Sequence, residues 1–250
     1  MDWKKLSTRK MHLVYKCLFL NRCYLCHASS PHTLCHYCQK GLPNNNRHCC
    51  QCKRPTHSPN ILCGQCQTSA PAYHTCIAPY RFEGIIKTLI HSIKFNQGNH
   101  YIRPLTDLLG EHVIASYNTG NWPDQIIYVP SHASRIKERG FCQTQKMAHL
   151  LVKKLQQQAN IQCPTLPKNN PLKKSKNTQA QHTLSRKERL RNPQNSYYID
   201  GAIAKHVALF DDIMTTGSTI ESCTKQLLDA GAERVDIWLI ARTPDKEQQG

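Results

Sequence analysis

The sequence has no long apolar run. The most apolar stretch near the N-terminus, residues 13–20, is short and is interrupted by Lys16, whereas a membrane-spanning helix needs about 20 apolar residues. The same stretch is a poor signal peptide. These absences argue against a membrane span and against export. We therefore expect a cytoplasmic protein in which disulfide bonds are disfavoured.

Acidic residues are also scarce, and the shortage is local. The 250 residues include 33 Lys and Arg against 16 Asp and Glu, which gives a formal net charge of +17. Residues 1–66 hold ten basic residues against one acid, and residues 153–191 hold ten against one. The rest of the chain is nearly neutral. Two such segments are typical of a surface that faces a polyanion, although solvated loops also explain the second segment.

Cysteine is abundant instead, and nine of the fourteen cysteines lie between Cys23 and Cys66. Eight of them form C-x-x-C pairs, and these are Cys23, Cys26, Cys35, Cys38, Cys49, Cys52, Cys63 and Cys66. Two pairs supply the four thiolates that structural Zn²⁺ prefers, so the spacing predicts one or two structural zinc ions, ahead of an iron–sulfur cluster. The spacing allows sequential or crossed pairing, and Cys50 offers an alternative register.

The strongest functional pattern begins after Lys205. Residues 207–210 predict a buried parallel strand, and two carboxylates, Asp211 and Asp212, follow it directly. The next residues lead into a predicted helix and include Thr215, Thr216, Gly217, Ser218 and Thr219. Adjacent carboxylates can accept hydrogen bonds from vicinal ribose hydroxyls, and bare N–H groups at a helix N-terminus bind phosphate. The pattern indicates a site for a phosphorylated ribose, with helix capping as the alternative.

A pair of arginines follows the predicted strand at residues 125–130. Arg135 and Arg139 come just after its carboxyl end, which is where open α/β sheets bind ligands. Two guanidinium groups at this position suit a pyrophosphate or a nucleic-acid phosphate.

Apolar periodicity predicts an α/β fold beyond the cysteines. Helices are expected at residues 83–95, 102–116, 141–155 and 218–230, with Lys87 and Lys94 exposed on the first of them. Strands are expected at residues 75–80, 125–130, 207–210 and 234–241, and an edge strand at residues 197–199. We expect a basic segment at 1–22, a cysteine module at 23–70 and an α/β domain at 71–250, with a basic flexible loop at about 156–195.

The assembled motifs resemble the ComF family of phosphoribosyltransferase-like proteins, in its ComFC/GntX branch. The resemblance rests on the cysteine pairs, on the blocks around Arg139 and Asp211, and on Leu239, Ala241, Arg242 and Thr243. It implies a type I phosphoribosyltransferase-like parallel sheet with helices on both faces. It also implies that phosphoribosyl pyrophosphate (PRPP) binds with Mg²⁺ through Asp211, Asp212 and residues 215–219. Cys142 departs from the family pattern, which has Asn at this position.

The resemblance leaves two functions open. One is a competence protein that assists the uptake or processing of transforming single-stranded DNA, with a DNA-uptake helicase or other competence proteins as partners. Tyr24, Tyr37 and Tyr73 are then candidates for stacking on bases. The other is an active phosphoribosyltransferase in nucleotide metabolism, whose acceptor and catalytic residue the sequence does not name. An amidophosphoribosyltransferase is excluded, because the glutaminase domain and its N-terminal cysteine are missing.

Overall fold

A computed structural model describes residues 22–59, 61–95, 98–117, 120–157, 162–175 and 197–244. The chain divides into two compact units, Met1–Leu42 and Pro43–Gly250. Almost all of the predicted basic segment at 1–22, and most of the predicted basic loop at about 156–195, lie outside the described residues. The three-part division expected from the sequence stays a prediction.

The first unit contains a short helix, α1 (His36–Lys40), and the second unit alternates helices and strands. In chain order the elements of the second unit are α2 (Gly64–Thr68), β1 (Thr75–Ile77), β2 (Tyr80–Arg81), α3 (Gly84–Phe95), a 3-10 turn (Asn99–Tyr101), α4 (Ile102–Ser116), β3 (Gln125–Tyr128), α5 (Ala133–Arg139), α6 (Gln143–Gln156), β4 (Leu172–Lys174), β5 (Tyr197–Ile199), β6 (His206–Met214), α7 (Ser218–Asp229) and β7 (Arg234–Arg242). No helix within the described ranges is long and apolar enough to cross a membrane.

A parallel sheet organises the second unit, with the strand order β1-β7-β6-β3. β2 also pairs in parallel with β7, further along that strand. Phe210 on β6 lies between Trp238 on β7 and Tyr128 on β3. Parallel neighbours need crossover connections, and α7 provides the one between β6 and β7. The predicted α/β class, with a largely parallel sheet flanked by helices, is confirmed.

The core lies on both faces of β6 and β7, and it explains why these strands read as apolar runs. Val207, Leu209 and Ile237 are fully buried and pack in one cluster with Ile220 and Leu227 of α7. Helices α4 and α7 both contact β7, so both faces of the strand are covered. Burial of each large apolar side chain contributes about 1.5–3 kcal/mol. This covered sheet holds the strand ends in fixed positions.

The structure corrects the expected pairing of β5 and the expected start of helix α6. β5 forms at the expected residues, but it pairs with β4 in a separate antiparallel sheet of two strands. Its partner comes from the proline-containing segment that had been expected to lack strands. Helix α6 begins at Gln143, two residues later than expected, because Cys142 has an extended backbone and occupies the N-cap position.

Candidate functional site

A cavity of about 580 Å³ opens where β3 and β6 end. Both predicted carboxylates line it, and so do four basic side chains: Lys94, Arg135, Arg139 and Lys174. Ligands of open α/β sheets bind at this end of the strands. A larger cavity of about 710 Å³ lies beside β1 and α4, but it contains none of the predicted site residues. We therefore describe the smaller, more highly charged cavity as the candidate site.

The carboxylates belong to β6 itself, because the strand continues past them to Met214. The side chain of Asp212 is buried, and its Oδ2 lies 2.6 Å from the Lys94 Nζ and accepts a hydrogen bond of 3.0 Å from the Gln143 amide. Its Oδ1 accepts the backbone N–H of Ile213 at 2.8 Å. Asp212 is therefore held in one orientation by α3, α6 and its own strand.

Asp211 is in a different electrostatic position. Burial, followed by the neighbouring charge of Asp212, raises the pKa of the Asp211 carboxyl well above its ordinary value. Lys94 offsets part of this effect, but its ion pair is with Asp212. Asp211 therefore holds its proton more tightly than an ordinary carboxyl does. An incoming cation would favour its ionised form.

Lys94 was expected to be exposed, and the structure shows that this expectation was wrong. Its side chain is 16% exposed and forms the ion pair with Asp212. Residues four apart share a helix face, so Lys94 lies next to buried Ile90 on α3. This spacing was a usable signal in the sequence. The helix ends at the sheet edge, where the lysine stem covers apolar surface and its charge reaches the acidic pair.

The predicted phosphate-binding residues form the turn from β6 into α7. Gly217 has a φ of +94°, a backbone conformation that residues other than glycine rarely adopt. Helix α7 starts directly after it at Ser218, and the Ser218 N–H points to the Thr216 hydroxyl at 3.4 Å. Thr215 and Thr219 line the cavity. The start of this twelve-residue helix is therefore adjacent to the acidic pair.

The basic side chains give the cavity mouth a positive charge. Arg135 and Arg139 lie on α5, and the Arg139 guanidinium is 5.6 Å from the centre of the Phe95 ring. Burial, and then the charge of Arg135, lowers the pKa of Lys174, which lies 5.5 Å from the Tyr197 ring. Lys174 had been assigned only to a basic loop. The strand pairing of β4 with β5 brings it to the site.

The cysteines form two clusters by sequential pairing. Cluster one contains Cys23, Cys26, Cys35 and Cys38, and cluster two contains Cys49, Cys52, Cys63 and Cys66, with the sulfur atoms of each within 4.8 Å of one another. Cys50 is exposed and belongs to neither cluster. The cysteines of the described ranges are free thiols.

The spacing of the sulfur atoms suits a tetrahedral metal. The Cys26 and Cys35 sulfurs are 3.6 Å apart, and so are the Cys52 and Cys63 sulfurs. Four thiolates around zinc, with Zn–S bonds of about 2.3 Å, would lie about 3.8 Å apart. Each cluster can therefore hold a zinc ion. Four sulfur ligands leave no open position, so such a site is structural.

The thiols of each cluster differ in acidity in the same way. Burial alone would raise the pKa values of Cys23 and Cys49, but backbone N–H donors outweigh it and lower each pKa to about 6. Burial and the neighbouring sulfur atoms raise the pKa values of Cys38 and Cys66. In each cluster the first thiol therefore loses its proton readily, and the last thiol loses its proton with difficulty. A divalent cation removes that difficulty, which supports a metal site.

The three tyrosines proposed for base stacking differ in exposure. Tyr37 on α1 is 85% exposed, whereas Tyr73 is 7% exposed. Tyr73 packs in the hydrophobic core of the second unit and therefore cannot stack on a base.

Fold and site together define a class: an α/β protein with a charged cavity at the carboxyl end of a parallel sheet and two tetracysteine clusters. No protein-family model matches the chain. The DNA utilization protein YhgH of Escherichia coli K12 is 30% identical over 196 residues, which is 77% of this chain and 83% of that protein. The YhgH protein of Salmonella typhimurium is 29% identical over 227 residues, 88% of this chain and 96% of the relative. Competence protein F of Haemophilus influenzae is 32% identical over 188 residues, 72% of this chain and 78% of the relative. The chain belongs to the ComF family.

Proposed function

We propose that this protein assists the handling of single-stranded DNA in competence or DNA utilization, and that its α/β unit binds PRPP or another ribose phosphate. The names of the relatives support the DNA-related role. The two basic segments support contact with a polyanion. The proposed setting is the cytoplasm, and the proposed partners are single-stranded DNA and other competence proteins.

One observation carries the ribose-phosphate proposal: the acidic pair lines the same cavity as Thr215 and Thr219, the two ends of the hydroxyl-rich turn. Asp211 and Asp212 would accept hydrogen bonds from the ribose hydroxyls. Residues 215–219, at the start of α7, would hold the 5′-phosphate. Lys94, Arg135 and Arg139 would neutralise the pyrophosphate group. Mg²⁺, bound chiefly by the ribose phosphate, would supply further positive charge, and Asp211 and Asp212 are the carboxylates of the cavity that would face it.

The DNA proposal draws on the first unit as well as on the basic segments. Tyr37 presents its ring to solvent on α1. Exposed Lys40 lies on the same helix. An exposed aromatic ring beside basic residues is the usual platform for single-stranded nucleic acid. Two separate surfaces would then serve the two ligands.

Calorimetric titration of PRPP with Mg²⁺, and of single-stranded DNA, tests both parts. The variant is the double substitution Asp211→Ala/Asp212→Ala, and exposed Asp229→Ala at the far end of α7 is the control. We expect the double variant to lose PRPP affinity by about 100-fold or more, because two carboxylates are removed and charge-assisted hydrogen bonds are each worth about 1.5–3 kcal/mol, and to keep its DNA affinity. PRPP affinity equal to that of the wild type would overturn the ribose-phosphate site.

Phosphoribosyl transfer is the second candidate function. Arg135 and Arg139 lie at the cavity, where they would stabilise a departing pyrophosphate. The test incubates the protein with PRPP, Mg²⁺ and a panel of free bases and measures released pyrophosphate. Release that depends on one base supports an enzyme. Tight PRPP binding without release favours a binding role.

A further inference from the structure

Arg242, the last residue of β7, is a buried cation that the proposed ligand site does not use. It is 1% exposed, and no carboxylate in the described part of the chain forms an ion pair with it. A buried charge without a counter-ion is costly unless polar groups surround it. Backbone carbonyls surround this one. Their positions suggest why an arginine is placed here.

The guanidinium connects cluster two to the phosphate-binding turn. Its Nε donates to the carbonyl of Cys52 at 3.2 Å. Its Nη1 donates to the carbonyl of Met214 at 2.8 Å and also to the carbonyl of Thr215. Cys52 is a member of cluster two, and Met214 and Thr215 begin the turn. One rigid, planar group therefore holds carbonyls from both places.

These contacts also orient the amides of the turn. The described peptide bonds are all trans, so the N–H of each peptide points away from its own carbonyl. The carbonyls of Met214 and Thr215 face Arg242, and the N–H groups of Thr215 and Thr216 therefore face away from it. An anion at the turn would need such outward-facing N–H groups. Arg242 holds this direction at both carbonyls, and the Thr243 N–H also donates to the Met214 carbonyl at 3.1 Å.

A small cavity lies between cluster two and the phosphate-binding turn, and residues of both line it. This cavity of about 350 Å³ is lined by Cys52, Cys66 and Tyr73 on the cluster side, and by Thr216, Gly217 and Ser218 on the other. Arg242 also lines it. A change in the backbone at Cys52 would move the Cys52 carbonyl, which accepts from the Arg242 Nε. The Arg242 side chain would then shift, and the carbonyls of Met214 and Thr215 that it holds would shift with it.

We propose that Arg242 is a positioning residue through which metal occupancy of cluster two sets the phosphate affinity of the turn. The inference rests on the proposed ribose-phosphate site, and it adds that the metal of cluster two regulates ligand binding at that site. Coupling between two sites is reciprocal. A ribose phosphate bound at the turn must therefore retain the metal of cluster two.

The first experiment uses the wild-type chain loaded with zinc and a chromogenic chelator that reports zinc release. At equilibrium, saturating ribose 5-phosphate should raise by about tenfold the chelator concentration that releases half of the zinc of cluster two, within the range typical of coupled sites, and leave release from cluster one unchanged. The full chain with Cys26→Ser/Cys38→Ser, which disrupts cluster one, identifies the release from cluster two. An equal half-release concentration for cluster two with and without the ligand would overturn the coupling.

The second experiment uses Arg242→Lys, with Arg234→Lys at the other end of β7 as the matched control. Lysine keeps the charge but cannot bond to carbonyls in two directions with a planar group. We expect Arg242→Lys to bind ribose 5-phosphate about tenfold more weakly and to lose the ligand effect on zinc release. Arg234 pairs with Asp236 away from the turn, so its variant should retain both properties.

The outcomes separate the two proposals. If ribose 5-phosphate and PRPP both fail to bind the wild type, the proposed site fails, and the coupling fails with it. If they bind the wild type and Arg242→Lys equally, the site stands and the coupling is wrong. If Arg242→Lys does not fold, the wild-type zinc-release measurement still decides the matter.

Discussion

The two cysteine clusters share a local geometry but have different surroundings. In each, the N–H of the third cysteine donates to the sulfur of the first at 3.3 Å, in the pairs Cys35 with Cys23 and Cys63 with Cys49. The third cysteine then caps a five-residue helix, with φ and ψ of −71° and 159° in cluster one and −73° and 159° in cluster two. The same local sequence pattern thus produces the same local fold twice.

Burial separates the two clusters. All four cysteines of cluster two are buried and pack with Tyr73, Cys76 and Met214 in the core of the α/β unit. In cluster one Cys26 is exposed, Cys35 and Cys38 are partly exposed, and α1 has no buried residue. One cysteine motif therefore serves two purposes. In cluster two it completes a core, whereas in cluster one it supports an exposed surface.

Breaking cluster two should have the largest effect. We expect Cys52→Ser to lower the free energy of unfolding of the α/β unit by about 4 kcal/mol or more, because metal-binding energy in such sites is folding energy. Urea denaturation followed by the fluorescence of Trp122 and Trp238 measures this loss. A variant with unchanged stability and one zinc fewer would show that cluster two does not support the core.

One tyrosine near each cluster provides a second test: Tyr73 packs with cluster two, and Tyr37 lies on the helix of cluster one. Tyr73→Ala should cost about 3 kcal/mol of stability through the cavity it leaves. Tyr37→Ala should leave stability unchanged and weaken binding of single-stranded DNA by about tenfold, as expected for loss of one stacked base. Denaturation and fluorescence anisotropy with a labelled oligonucleotide measure the two effects. Equal DNA affinity of Tyr37→Ala and the wild type would contradict the role of cluster one as a contact surface.

A pH titration of the α/β unit tests the buried acidic pair. The folded-state pKa of Asp211 is raised by burial and by Asp212, so the folded protein binds this proton more tightly than the unfolded chain does. Stability should therefore fall as the pH rises from the ordinary carboxyl value through the raised value. Asp211→Asn should flatten this dependence on pH. At pH values above the raised pKa of Asp211, the variant should unfold at a higher temperature than the wild type. A wild-type profile in Asp211→Asn would assign the dependence to another group.

The smallest effect is expected from the matched change in cluster one. Cys26 occupies the position in cluster one that Cys52 occupies in cluster two. Cys26→Ser should lower the zinc content by one ion, yet change the unfolding free energy of the α/β unit by less than about 0.5 kcal/mol. Elemental analysis and the same urea titration measure both. A large loss of stability would mean that the two clusters are not independent.

The sequence predicted the regular parts of the fold well, because these depend on local pattern. The apolar run at residues 207–210 indicated a central strand, and α4 has the expected bounds. Helix α7 begins at the residue expected from the turn that precedes it. Periodicity and capping are encoded within a few neighbouring residues, so they can be recognised without knowledge of tertiary contacts.

Tertiary contacts decided the rest. Cysteine pairing could not be chosen, because sequential and crossed pairs have the same spacings. Lys94 looked like an ordinary exposed lysine until the sheet edge placed Asp212 beside it. Arg242 entered only as part of the family pattern, and nothing near it in the sequence indicates partners at Cys52 and Met214. Such residues act across long separations in the chain, which local patterns do not record.

The position of β7 between β1 and β6 has a consequence for biosynthesis. β7 is synthesised after the other described strands, yet it joins β1 to the rest of the sheet. Cluster two packs against a core that includes Ile237 and Leu239 of β7. During translation its thiols therefore emerge well before the strand that buries them. Early metal capture would protect these thiols from oxidation while the ribosome completes the chain.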